Sequence, residues 1–120
     1  MSEDNMKKCA LFVFNGDPVC FIHVLLNGLD MKEKGMDSRI VVEGAATALL
    51  PKLAEPDAPL HKLWVKAKEA SIVDGVCKGC AQKMGTVKEA EKQGLALLDD
   101  MSGHPCMSRY MQEGFEVISF

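Results

Sequence analysis

The run Cys9-Ala-Leu-Phe-Val-Phe14 is apolar at every position and stops at Asn15-Gly16-Asp17-Pro18. An unbroken apolar stretch this short, closed by turn residues, reads as a strand buried on both faces rather than one half-exposed to water. Asp17 suits an N-cap, because its carboxylate can accept an orphan amide, and Pro18 suits the first helical position. Beyond it, Phe21, Ile22, Leu25, Leu26 and Leu29 recur at the spacing of a helical stripe. Lys32 and Lys34 favour the helix C-terminus, and Gly35 ends it.

The same alternation repeats along the chain. Arg39-Ile-Val-Val-Glu43 reads as a second strand ended by Gly44, with a short helical piece over 48–54 that Glu55-Pro56-Asp57-Ala58-Pro59 breaks. A helix from Leu60 carries Leu63, Trp64 and Ala67 on one face, and a third short strand is expected over 72–76, across Asp74-Gly75. Thr86-Val-Lys-Glu89 has the pattern of a capping box, and the helix it opens ends at Gly94. Leu95-Ala-Leu-Leu98 is a fourth strand. Pro105 then opens a helix with Met107, Tyr110 and Met111 on one side, and Phe115 to Phe120 form the last strand. Strands alternating with helices predict an α/β fold: a parallel sheet covered on both faces. No linker or repeat divides residues 1–120, so one domain is expected.

Charge and composition narrow the function classes. The net charge is −3 with scattered basic residues, which gives no cationic face for nucleic acid. The apolar runs are too short for a transmembrane helix. Met1 to Asn5 are polar and acidic, unlike a secretory leader, so a cytoplasmic address is expected. Five cysteines, an odd number in such a setting, argue against a disulfide framework and for thiol chemistry or metal ligation.

In open parallel sheets, ligands gather outside the carboxyl ends of the strands. Four loops meet that edge: Asn15-Gly16-Asp17, Glu43-Gly44-Ala45, Cys77 to Cys80, and Asp99 to Cys106. Cys77-Lys78-Gly79-Cys80 is the sharpest motif. A thiol where a strand hands over to a helix should feel the positive helix end and the charge of Lys78 and Lys83, both favouring thiolate, and should be open to small solutes. Gly79 permits a tight turn beside an incoming sulfur atom. Asn15, Gly16 and Asp17 are candidates for holding an anion, although they lack a P-loop or the Rossmann glycine set. Cys106, with His104, forms a second cluster, and Cys77, Cys80, His104 and Cys106 together would make a tetrahedral zinc set. Otherwise no cofactor is indicated. His23 reads as a packed or surface residue rather than a ligand, His61 as an exposed one, Cys9 and Cys20 as small buried ones, and Met107 and Met111 as helix packing.

With Val76-Cys77-Lys78-Gly79-Cys80-Ala81 following the third strand, and Gly85 beyond, the chain resembles the DsrE-like proteins over essentially its whole length. The resemblance implies a three-layer α/β/α sandwich with a five-stranded parallel sheet, assembled as a homotrimer or hexamer. It also implies a sulfur-carrier or sulfurtransferase-like role in which Cys77 holds a persulfide, with a sulfur-donor or acceptor protein as partner; neither membrane nor nucleic acid is expected, on the charge and apolar runs above. Cys80 has counterparts in some of these proteins and not in the sulfur-relay subunits. Its role, a resolving thiol that closes a disulfide with Cys77, is read from the residues alone. A thioredoxin-type switch would set C-x-x-C at the start of the first core helix, where this chain has Pro18. A metal-binding module, and an assembly subunit whose cysteines only pack, are the remaining readings.

Overall fold

The computed structural model describes residues 6–120; the polar stretch Met1 to Asn5 lies outside the described residues. Its element order is β1 (Lys8–Val13), α1 (Pro18–Glu33), β2 (Asp37–Val42), a 3-10 helix (Gly44–Leu49), α2 (Leu50–Leu53), α3 (His61–Glu69), β3 (Val73–Cys77), α4 (Lys78–Met84), α5 (Val87–Lys92), β4 (Leu97–Leu98), α6 (Met107–Gln112) and β5 (Glu116–Ser119). The five strands form one sheet in the order β4-β3-β2-β1-β5, and every pairing is parallel.

That order explains the layers. From β1 to β4 each crossover steps the same way along the sheet, and crossovers of one hand must then cover the same face. Phe21, Val24 and Leu25 of α1, Leu50 and Leu53 of α2, Trp64 and Ala67 of α3, Ala81 of α4 and Ala90 of α5 all bury against Leu11, Val13, Ile40, Val42 and Val76 there. The last connection runs back from β4 to the opposite edge, so α6 covers the other face. On that side Tyr110 packs with Ala10, Phe12, Val41 and Phe115. The result is an α/β/α sandwich with a thick helical layer and a thin one.

The predicted start of α1 is present: Asp17 Oδ1 accepts the Val19 amide at 2.9 Å, with Pro18 opening the helix. Its buried stripe is Phe21, Val24, Leu25 and Gly28. Leu26, expected inside, is 45% exposed, because it lies a further 100° around the helix from Leu25. Thr86 does not make the predicted capping box. Its backbone is not extended (φ −115°, ψ 15°), so its hydroxyl misses the helix amides and is buried without a partner, while the Glu89 carboxylate accepts from Gln93 instead. The fourth strand shrinks to Leu97–Leu98, since the Leu95 amide is held by the Ala90 carbonyl at the end of α5. Met111 is 57% exposed rather than packed, and Tyr110 is the anchor of α6. His61 is half-buried rather than exposed, its Nδ1 2.8 Å from the Leu53 carbonyl oxygen. Asp74-Gly75 does not end β3. The pairing with β2 slips there, the irregularity absorbing the turn-prone pair. Among the described residues, no helix is long and apolar enough to cross a membrane.

Candidate functional site

Three elements bring the site together at the carboxyl edge. Cys77 is the last residue of β3 and the N-cap of α4, where its Sγ accepts the Cys80 amide at 3.3 Å. The two cysteines of the motif are thereby locked into one turn. β4 pairs directly beside β3, and the path from β4 to the far edge carries residues 99–106 back across the strand ends.

That path is shaped by a tight turn. Met101 and His104 exchange both backbone hydrogen bonds, at 2.7 and 3.0 Å, around Ser102 and Gly103. Both central residues have positive φ, 50° and 90°, the requirement of a type I′ turn. The turn is tied to α4 by the Gly79 amide, which donates to the Gly103 carbonyl at 2.7 Å. A Cβ at Gly79 would lie 3.0 Å from that same oxygen and 3.1 Å from His104 Cε1. Glycine is needed here for close approach, which the sequence reading assigned to an incoming sulfur atom.

His104 is thus delivered to the thiols. Its Nδ1 lies 3.0 Å from Cys77 Sγ and 3.8 Å from Cys80 Sγ. Glu43, the first residue after β2, completes the group. The ligand atoms of Glu43, Cys77, Cys80 and His104 all lie within 4.8 Å of one another. Glu43 is only 7% exposed, and burial raises its carboxyl above the ordinary range, opposed by the neighbouring His104 and by a hydrogen bond with the Cys77 thiol. Sequence reading set Glu43 in an edge loop without giving it a role. Its signal is an acid directly after the apolar run Ile40-Val41-Val42.

Two expectations for Cys77 are corrected. The thiol is fully buried rather than open to solutes. Burial, with the neighbouring Cys80 and Glu43, pushes its pKa up to about 12, against the lowering effect of the Cys80 amide. Desolvation of the thiolate outweighs the helix-end effect that predicted activation. Cys80, by contrast, is partly exposed, so it is the residue of the pair that solvent reaches.

The other candidates lie elsewhere. Cys106 does not join the thiols as the expected fourth ligand: as N-cap of α6 it points its Sγ to Asp100 Oδ2, 4.0 Å away. Lys78 pairs with Asp99 at 3.6 Å. Asn15 Oδ1 accepts the Asp17 amide, Asp17 caps α1, and Gly16 packs on the Ala45 carbonyl, so their hydrogen bonds and contacts shape the loop rather than reach the thiols. Cys9 is in the core as expected, whereas Cys20 is half-buried and His23 exposed. Beside His104 and Glu43 opens a recess of about 450 Å³, its walls mainly Phe14, Met101, Pro105 and Met107. A second recess, lined by Pro18, Leu49, Leu53 and Leu60, contains no thiol, imidazole or carboxylate.

No family model matches the chain, and no solved structure matches it. Over 97 residues it is 34% identical to the uncharacterized protein MJ0733 of Methanocaldococcus jannaschii, covering 81% of this chain and 77% of that protein. Two uncharacterized proteins of Archaeoglobus fulgidus match shorter stretches. One is 39% identical over 49 residues (41% of this chain, 80% of that protein), the other 49% identical over 37 residues (31% and 100%). At this identity and coverage, the chain belongs to the same family as MJ0733 of Methanocaldococcus jannaschii.

Proposed function

We propose that the protein is a sulfur carrier of sulfurtransferase-like chemistry, working through the Cys77–Cys80 pair. The observation that carries this reading is the shared imidazole: one nitrogen, His104 Nδ1, faces both sulfurs at 3.0 and 3.8 Å. An acceptor of sulfane sulfur needs a thiolate, and a buried thiol reaches that state only with a base beside it.

Exposure divides the roles. The Cys80 thiolate attacks the outer sulfur of a donor persulfide R–S–SH, forming Cys80–S–SH and expelling R–S⁻, which takes up a proton. His104 accepts the Cys77 proton, and the Cys77 thiolate then attacks that outer sulfur, forming Cys77–S–SH and regenerating the Cys80 thiolate. Sulfur held at Cys77 lies in a water-excluded position that shields it from stray thiols. Attack of the Cys80 thiolate on Cys77 Sγ would instead close the Cys77–Cys80 disulfide and release HS⁻. A dithiol reductant then resets the pair, gaining the disulfide.

The resemblance to DsrE-like proteins supports the same reading, since their sulfur-handling members carry persulfide on a cysteine just after the third strand, and Cys77 ends β3. A homotrimer or hexamer, a donor or acceptor protein as partner and a cytoplasmic address are proposed with it. Exposed Phe14, Met101 and Met111 offer apolar surface for an assembly, and five unpaired cysteines suit a reducing compartment.

The test is peptide-mapped mass spectrometry of reduced, metal-free protein after exposure to inorganic polysulfide. A gain of about 32 Da confined to the segment bearing Cys77 and Cys80 is expected. Equal labelling of Cys9, Cys20 and Cys106, or none at all, refutes the reading.

A further inference from the structure

Glu43, Cys77, Cys80 and His104 form a set whose composition sulfur transfer does not explain. Sulfur exchange needs two thiols and a base. It has no use for a carboxylate held 7% exposed beside them. Among the described residues, the Glu43 carboxylate faces the Cys77 thiol and the His104 imidazole, with no lysine or arginine acting on it. Arg39, four residues before Glu43, pairs with Asp37 and Asp74, and Lys78, beside Cys77, pairs with Asp99. A carboxylate, two sulfurs and an imidazole gathered this closely form a donor set that, among the described residues, no cationic side chain joins.

The geometry points to a cation: we propose that the reduced site binds one thiophilic divalent ion of the zinc class through Cys77 Sγ, Cys80 Sγ, His104 Nδ1 and a Glu43 carboxylate oxygen. Four ligand atoms within 4.8 Å of one another match a tetrahedral shell, in which bonds of about 2.0–2.3 Å set ligand–ligand separations of roughly 3.3–3.8 Å. The separations from His104 Nδ1 to the two sulfurs, 3.0 and 3.8 Å, need only small adjustments. The C-x-x-C turn supplies two ligands from one rigid segment, and the type I′ turn fixes the third. Mixed sulfur, nitrogen and oxygen donors favour zinc over hard ions such as magnesium or calcium.

Binding displaces the two thiol protons to solvent and leaves the oxidation state of both sulfurs unchanged. Four protein ligands close the coordination shell, so the ion holds the site shut rather than activating a substrate. Metal loading and sulfur loading therefore exclude each other. The inference needs the same side chains as the proposed function but not sulfur transfer itself, so each can fail alone.

Cobalt(II) titration of the fully reduced chain tests it. One equivalent should give the intense visible bands of a tetrahedral ion and a thiolate-to-metal charge-transfer band, both erased by zinc. Removing an outer-shell partner of a metal site weakens binding about 10–100-fold, so Cys77→Ser and Cys80→Ser should exceed about a hundredfold and Glu43→Gln should lose at least tenfold. Cys106→Ser should leave affinity unchanged. Zinc should also protect Cys77 and Cys80, but not Cys106, from alkylation in the wild-type chain, a readout that does not depend on any variant folding. A six-coordinate cobalt spectrum, absence of the charge-transfer band, unprotected Cys80, or Cys106→Ser as damaging as Cys77→Ser overturns the assignment. Polysulfide labelling of the metal-free chain reports separately on sulfur transfer.

Discussion

His104 Nδ1 stands 3.0 Å from Cys77 Sγ although 27 residues and a whole strand separate them in the chain. The contact exists because β4 pairs beside β3, and because the Gly103 carbonyl is pinned by the Gly79 amide of the C-x-x-C turn. Base and thiol are therefore positioned by the backbone, and substitutions that move the backbone should act on the thiols at a distance.

Gly79→Ala is the sharpest case. Its Cβ would meet the Gly103 carbonyl oxygen at 3.0 Å and the His104 ring at 3.1–3.2 Å. We expect a stability loss of about 1–3 kcal/mol, the cost of overpacking a fixed site, together with slower sulfur loading as the imidazole is displaced. Urea unfolding followed by fluorescence of Trp64, the single tryptophan and fully buried, measures the first.

Alkylation should separate the two thiols. Cys80 is partly exposed, whereas Cys77 is buried and its ionisation is opposed by desolvation. Iodoacetamide at neutral pH should modify Cys80 well before Cys77, as peptide mapping will show. Faster modification of Cys77 would contradict the buried placement.

Gly75→Ala probes the edge that carries the His104 turn. A Cβ at this position would come within 2.6 Å of Leu98 Cγ and 2.9 Å of the Ala96 carbonyl oxygen. β4 is only two residues long and cannot absorb the intrusion without leaving β3. A loss of about 2–3 kcal/mol is expected, with faster amide exchange at Val76, whose N–H donates to Ala96.

Tyr110 links the thin layer to the sheet. Its hydroxyl donates to Asp74 and receives a hydrogen bond from Arg109. Tyr110→Phe should cost about 1–3 kcal/mol, since it leaves polar partners unsatisfied. Burial first, then Asp74, raises the phenol pKa above its ordinary 10.0. The protonated phenol is thus favoured by folding: its contribution is complete below pH 10 and is lost as pH rises beyond that value. Tyr110 is the single tyrosine, so tyrosinate absorbance reads it directly. It should stay silent in the native chain at pH 10 and appear on unfolding.

Much of the fold was legible because it is written locally. Asp17-Pro18 marked the start of α1, the apolar run from Cys9 marked β1, and Cys77 stood at the strand–helix junction as read. What local pattern could not reach were effects of three-dimensional neighbours. Thr86 has the residues of a capping box but a backbone set by the preceding Gly85 turn. The Cys77 thiol sits at a helix start, yet Glu43 and the returning 99–106 path bury it, reversing its expected activation. The same return path explains why His104 joins the thiols and Cys106 does not: the type I′ turn aims residue 104 inward, and two residues later Cys106 has already become the cap of α6. No spacing rule exposes Glu43, which reaches the site only through the pairing of β2 with β3.

The division of labour between the two sulfurs is measured most directly by loading rates of single variants in metal-free, reduced protein exposed to polysulfide. If Cys80 admits sulfur and Cys77 stores it, wild type accumulates the adduct on Cys77, Cys77→Ser retains it on Cys80, and Cys80→Ser loads at least tenfold more slowly. Loading of Cys80→Ser at the wild-type rate, or an adduct that persists when both cysteines are replaced, would contradict the account.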